Sequence, residues 1–213
     1  ITAVDTRNAD QAENNMRFTD EALGQIATMI SRARELALHA ANATTSDEQR
    51  ASIATELDGL RESLLGLANG RNASGHSLFG GQAVGNAYQI DSATGVATYV
   101  GTATLDAVEI GEGQSIVPGN TGPEVFSFTD SSGAQTDIFA ELSALSTALR
   151  AGGQAAADAA RDGLTMLDTR GSGGGDYAPP GEPDYAAGGN GGGAPAGGDG
   201  AAPGGDLDDE IPF

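Results

Sequence analysis

Cysteine is absent from the 213 residues, which excludes disulfides and thiolate metal sites. Lysine is absent as well: all ten basic residues are arginines, set against 30 acidic ones, for a net charge of -20. Such a balance argues against gripping a phosphate backbone, which needs dense positive charge. It equally disfavours docking on an anionic membrane surface. There are only two histidines, His39 and His76, so a zinc site would have to lean on carboxylates. Tryptophan is missing, and no apolar run approaches the roughly 18–20 residues that a helix needs to cross a bilayer. The chain opens on Ile1 rather than Met, with no charged-then-apolar signal segment, so we expect a missing or processed amino terminus.

Apolar stripes at helical spacing, by contrast, are abundant. Ile53, Leu57, Leu60, Leu64 and Leu67 step by four, three, four and three, the seam of a coiled coil. Leu23, Ile26, Ile30, Ala33, Ala37 and Ala40 step in the same way, and Ala9, Ala12, Met16 and Thr19 carry the pattern back toward Asp5. The first helix is therefore expected over about residues 5–41, or roughly 50–55 Å at 1.5 Å per residue. Asn42 is expected to end it in a left-handed turn. Ser46, with Gln49 three residues on, is a capping box for the second helix. The expectation is two antiparallel rods zipped to each other.

After Ala68 the texture changes. Asn69-Gly70-Arg71-Asn72-Ala73-Ser74-Gly75 is turn chemistry, and between Ala87 and Val117 the pattern becomes alternating. Three to five short strands are expected there, joined by Asp91-Ser92-Ala93-Thr94-Gly95 and Gly111-Glu112-Gly113, with Val125-Phe126 as one more. Ile138, Leu142, Leu145 and Leu149 then step as a third helix, capped by Asp137 and ended by Gly152-Gly153. Ala155 to Ala160 could add a turn or two. From about Gly171 to Gly205 glycine, proline, alanine and aspartate dominate, a composition that cannot bury a core.

The fold class expected is thus α+β: a long antiparallel helical hairpin, an inserted small antiparallel β unit and a third helix, followed by a disordered acidic tail. The divisions are 1–76 for the hairpin, 77–133 for the β-rich insert, 134–163 for the third helix, 164–205 for the linker and 206–213 for an acidic tip.

No catalytic constellation is present. His39 and His76 lie far from any obvious nucleophile, and no Gly-x-Ser-x-Gly elbow occurs. Gly111-Glu112-Gly113 is not a phosphate loop, because no Gly-Lys-Ser/Thr follows it. Asp208, Asp209 and Glu210 have no fixed geometry for a metal. We therefore expect no enzyme, cofactor or metal. Two candidate contact sites remain. At the tip Asp206, Leu207, Asp208, Asp209, Glu210, Ile211, Pro212 and Phe213 combine acids with an apolar end. Phe213 and Ile211 could enter an apolar pocket while an arginine takes the terminal carboxylate. The plain alternative is a solubilising acidic end. On the first helix Arg32, Arg34 and Glu35 could form a subunit contact, or an ordinary solvated face with local ion pairs.

Two resemblances follow from these residues. The run Ile30-Ser31-Arg32-Ala33-Arg34-Glu35-Leu36-Ala37, then Ala40-Ala41-Asn42, the helix Ile53 to Leu67, Ala68-Asn69-Gly70-Arg71 and Leu78-Phe79-Gly80-Gly81 resemble the flagellin superfamily. Val108-Glu109-Ile110-Gly111-Glu112-Gly113, Val125-Phe126 and Asp137-Ile138-Phe139-Ala140 fit its hook–filament junction branch. The resemblance covers about residues 1–163. It implies a structural subunit of an extracellular bacterial flagellum, with other flagellar subunits as partners through helical seams, and it implies a receptor-contact surface in the region that includes Arg32 and Leu36. The family's amino-terminal polymerisation segment and its C-terminal returning helix are both expected to be absent, so only weak self-association is expected. Residues 164–213 are similar to the last strand, linker and tail of bacterial single-stranded-DNA-binding proteins. That likeness implies recruitment of replication or repair proteins through the tip, and a cytoplasmic location.

Overall fold

The computed structural model describes residues 2–130 and 132–173. The linker residues 174–205 and the tip 206–213 lie outside the described residues.

Helix α1 spans Ala3–Ala41 and opens with a capping box: the Asp5 amide donates to Thr2 Oγ1 (3.2 Å) and the Thr2 amide to the Asp5 carboxylate (2.6 Å). Helix α2 spans Asp47–Ala68, capped as expected by Ser46 and Gln49. Asn42, however, is extended (φ -67°, ψ 131°), so it ends α1 without a left-handed turn. The last carbonyls of α1 are satisfied from the side instead. The Thr45 hydroxyl donates to the His39 carbonyl (2.8 Å), and the buried Arg50 guanidinium donates to the carbonyls of Ala40 (3.1 Å) and Asn42 (3.2 Å). A cation at a helix C-terminus is well placed against the macrodipole as well.

The β region is three separate antiparallel ladders rather than one unit: β1 (Tyr88–Ile90) with β2 (Ala97–Tyr99), β3 (Val108–Gly111) with β4 (Gln114–Ile116), and β5 (Ser127–Thr129) with β6 (Gln135–Asp137). The hairpin connections expected at Asp91–Gly95 and at Gly111–Gly113 are present. Val125 and Phe126 are not a strand. They close the short helix α3 (Gly122–Phe126), whose start fits Pro123.

Helix α4 spans Ile138–Ala151, with the Asp137 carboxylate accepting from the Ala140 amide (2.8 Å). Gly152 ends it at φ 72°. The next turn begins a full helix, α5, over Gly153–Gly173. This corrects three sequence expectations. The third helix is two helices. The boundary drawn at 163/164 falls inside α5, so residues 164–173 are not linker. Leu164 to Asp168 is helical, not the closing strand of a DNA-binding barrel. Alanines at Ala156, Ala157 and Ala160, all buried, fill the face that leucines mark elsewhere, and large apolar side chains come only late in the helix, with Leu167 buried and Leu164 and Met166 partly so.

Packing also differs from two rods zipped together. The helices touch in the cyclic order α1, α2, α4, α5, and α2 packs most extensively on α4 while α1 does so on α5. Helix α5 therefore supplies a returning partner for α1. Each helix buries a face wider than a two-stranded seam. Ala22, Ile26, Ala33, Leu36, Ala37 and Ala40 are buried in α1, whereas Leu23 and Ile30 are only half-buried. In α2 Ile53, Ala54, Leu57, Leu64 and Leu65 are buried and Leu60 and Leu67 half-buried.

An aromatic hub joins helices to insert. Phe79, Tyr88, Tyr99, Phe126 and Phe139 form a chain of tilted and edge-on pairs, with ring centroids 5.0–5.5 Å apart. Gly122 lies against it, where a Cβ would sit 2.6 Å from Tyr99 Cε2 and 2.8 Å from Tyr88 Cε2. The Asn69 side chain pins β1 to the end of α2 by acting as a strand would: it accepts from the Tyr88 amide (2.8 Å) and donates to the Tyr88 carbonyl (3.1 Å).

Candidate assembly surface

A surface that joins copies or partners needs exposed groups, and the described residues divide clearly on this point. Leu36 is 4% exposed and belongs to the core, so it cannot take part in an external contact in this fold. Arg32 and Glu35 are on the surface, together with Glu56 of α2. The Arg32 guanidinium bridges Glu35 (3.0 Å) and Glu56 (2.7 Å), and these carboxylates, Glu56 first, hold its pKa above the ordinary arginine value. Arg34 is turned elsewhere and pairs with Asp168 of α5. The four residues singled out from the sequence are thus not one patch. Arg32 braces α1 against α2, Glu35 pairs with it on the same helix, Arg34 braces α1 against α5 and Leu36 is core. Exposed pairs of this kind contribute little each.

The apolar side chains left in solvent were not singled out as contact residues, and Met16, expected in the helical seam, is exposed. Leu38 stands out on α1 at 60% exposure, one step off the buried stripe. Val4 and Met16 are exposed on the amino-terminal part of the same helix. That part is held on one side by β3, where the Asn8 side-chain Nδ2 donates to the Glu109 carbonyl (3.0 Å). On the insert Val84, Ile90, Val96, Val100 and Val117 are exposed. Their signal was available: Leu38 is a large residue that breaks the three-four stepping, and Ile90 and Val96 flank a polar hairpin turn.

His39 and His76 are both exposed and distant in sequence from each other's contacts. Among the described residues no three His, Asp or Glu side chains converge as a metal ion would require, and no helix is long and apolar enough to cross a membrane. The tip from Asp206 to Phe213 lies outside the described residues.

Comparison with known proteins gives the surface a context. Residues 3–83 match the family described as the bacterial flagellin N-terminal helical region. Flagellar hook-associated protein 3 of Escherichia coli K12 is 33% identical over 150 residues, covering 65% of this chain and 45% of that protein. The chain thus spans about half the length of the curated relatives it matches. Among solved structures, FlgL of Xanthomonas campestris aligns with a TM-score of 0.69 at 19% identity, over 80% of this chain and 88% of that one. The flagellar junction protein FlgL of Legionella pneumophila aligns at 0.67 and 14% identity, over 78% and 88%. These matches concern the helical and β-rich body and bear on neither the terminal octapeptide nor a DNA-related role. By sequence, then, residues 3–83 match the bacterial flagellin N-terminal helical region, and by fold the described body is that of the FlgL structures.

Proposed function

We propose that this chain is a structural subunit of the bacterial flagellum, of the hook–filament junction kind, working outside the cell and joining other flagellar subunits through its long helices. One observation carries the reading: the flagellin match over residues 3–83 coincides with α1, α2 and the first part of the insert, in a body that shares the FlgL fold. The physical means is burial of apolar side chains left open on α1, namely Val4, Met16 and Leu38, against neighbouring subunits. The role inferred is mechanical. Immunogold electron microscopy of an epitope-tagged chain in its source bacterium tests this. Label at the boundary between hook and filament, with non-motile cells after deletion, is the expected result. Label confined to the cell interior would overturn it.

A further inference from the structure

A groove of about 580 Å³ runs between α4 and α5. Its floor is made of small side chains: Ala144 and Ala148 one turn apart on α4, and Ala159 on α5, with Met166 further along. Beneath them the two helices touch, since a Cβ on Gly163 would lie 3.0 Å from Leu145 Cδ2. The groove is therefore shallow-floored and closed below, and Phe128 walls one side. Its rim carries three carboxylates, Asp130, Glu141 and Asp162, and none of the residues lining it is a cation. The nearest arginines in sequence are engaged elsewhere, Arg150 by Asp58 and Arg161 by Asp158. Asp130 is kept ionised, its pKa lowered first by the Ser132 hydroxyl and then by the Ala134 amide.

An apolar floor of helix-spaced small residues under an acidic rim suits one kind of occupant. We propose that the groove between α4 and α5 receives an amphipathic helix of a different protein, with leucine-sized residues on the floor and lysine or arginine flanking them to meet Asp130, Glu141 and Asp162. Helix-in-groove recognition takes its affinity from the apolar anchors, and the charges set the on-rate and exclude wrong partners. A second copy of this chain is the poorer occupant. It lacks lysine and brings a net charge of -20 to a rim that is already negative. The inference stands on the groove and goes beyond the flagellar reading.

The full chain, isotope-labelled, is titrated with a helical leucine–lysine peptide about five turns long and with its leucine–glutamate twin, and followed by methyl NMR. The expected result is saturable shifts at Ala144, Ala148, Ala159 and Met166 with the lysine peptide only. Ala148→Trp fills the groove and should weaken binding about tenfold or more. The double variant Glu141→Gln, Asp162→Asn leaves the packing alone and should weaken it about fivefold in low salt. It guards against a tryptophan variant that fails to fold. Shifts spread over the whole acidic surface, equal binding of the twin peptide, or affinity unchanged in the double variant would overturn the proposal. So would self-association that perturbs the same methyl groups without peptide.

Discussion

Gly122 shows how much one missing side chain can decide. Any Cβ there would meet Tyr99 and Tyr88 at under 3 Å, with both rings held in the hub. Gly122→Val should therefore cost about 1–3 kcal/mol by urea unfolding. Gly66, inside α2, meets nothing within 4 Å, and Gly66→Ala should instead stabilise by about 0.5–1 kcal/mol in the same assay. Arg50 is the opposite case, a charge that is buried because it is used. Arg50→Met leaves the Ala40 and Asn42 carbonyls without their donor and should cost about 1.5–3 kcal/mol. Two aspartates give the turns a pH dependence. Asp91 accepts from the Thr94 amide first, then from the Thr94 hydroxyl and the Ala93 amide, and its pKa is lowered. Asp130 is lowered in the same way by Ser132 and Ala134. A carboxyl whose folded pKa lies below its unfolded one contributes stability above the unfolded value, near pH 4, and loses it as pH falls through the folded value. Carboxyl NMR titration should find both below the ordinary aspartate range, with the β1–β2 and β5–β6 turns loosening in acid.

Among the elements, α5 separates what could be read in the sequence from what could not. Helix α1, α2 and α4 were legible because leucine and isoleucine recur at three-four spacing and Ser46 and Asp137 announce the starts. Helix α5 buries alanines, which carry no periodic signal strong enough to stand out beside the glycine-rich stretch that follows. Its partner was illegible for the same reason: the stripe on α1 says that a face is buried, not by what. The aromatic hub was equally hidden, since Phe79, Tyr88, Tyr99, Phe126 and Phe139 are brought together from a loop, two strands and two helices. Leu36, which the family resemblance put on a surface, is core, and Leu38 was passed over because it lies off the three-four stepping. If α5 is part of the body, Leu167→Ala should cost about 2–5 kcal/mol by denaturant unfolding. A change near zero would show that the chain folds without it.

For the whole molecule, charge governs how copies meet. At -20 net, with Leu38, Val4 and Met16 exposed, apolar attraction is opposed by long-range repulsion. Light scattering should find monomers or weak oligomers at low ionic strength and more association in strong salt, where the Debye length falls to about 3 Å at 1 M. Long filaments formed spontaneously at low salt would contradict this. Lacking tryptophan, the molecule also carries a built-in optical gauge. Tyr88 and Tyr99 lie ring against ring, tilted by 59°, where the insert meets the helices, so near-ultraviolet dichroism reports that joint. A spectrometer can thus watch the insert part from the rods, without any added dye.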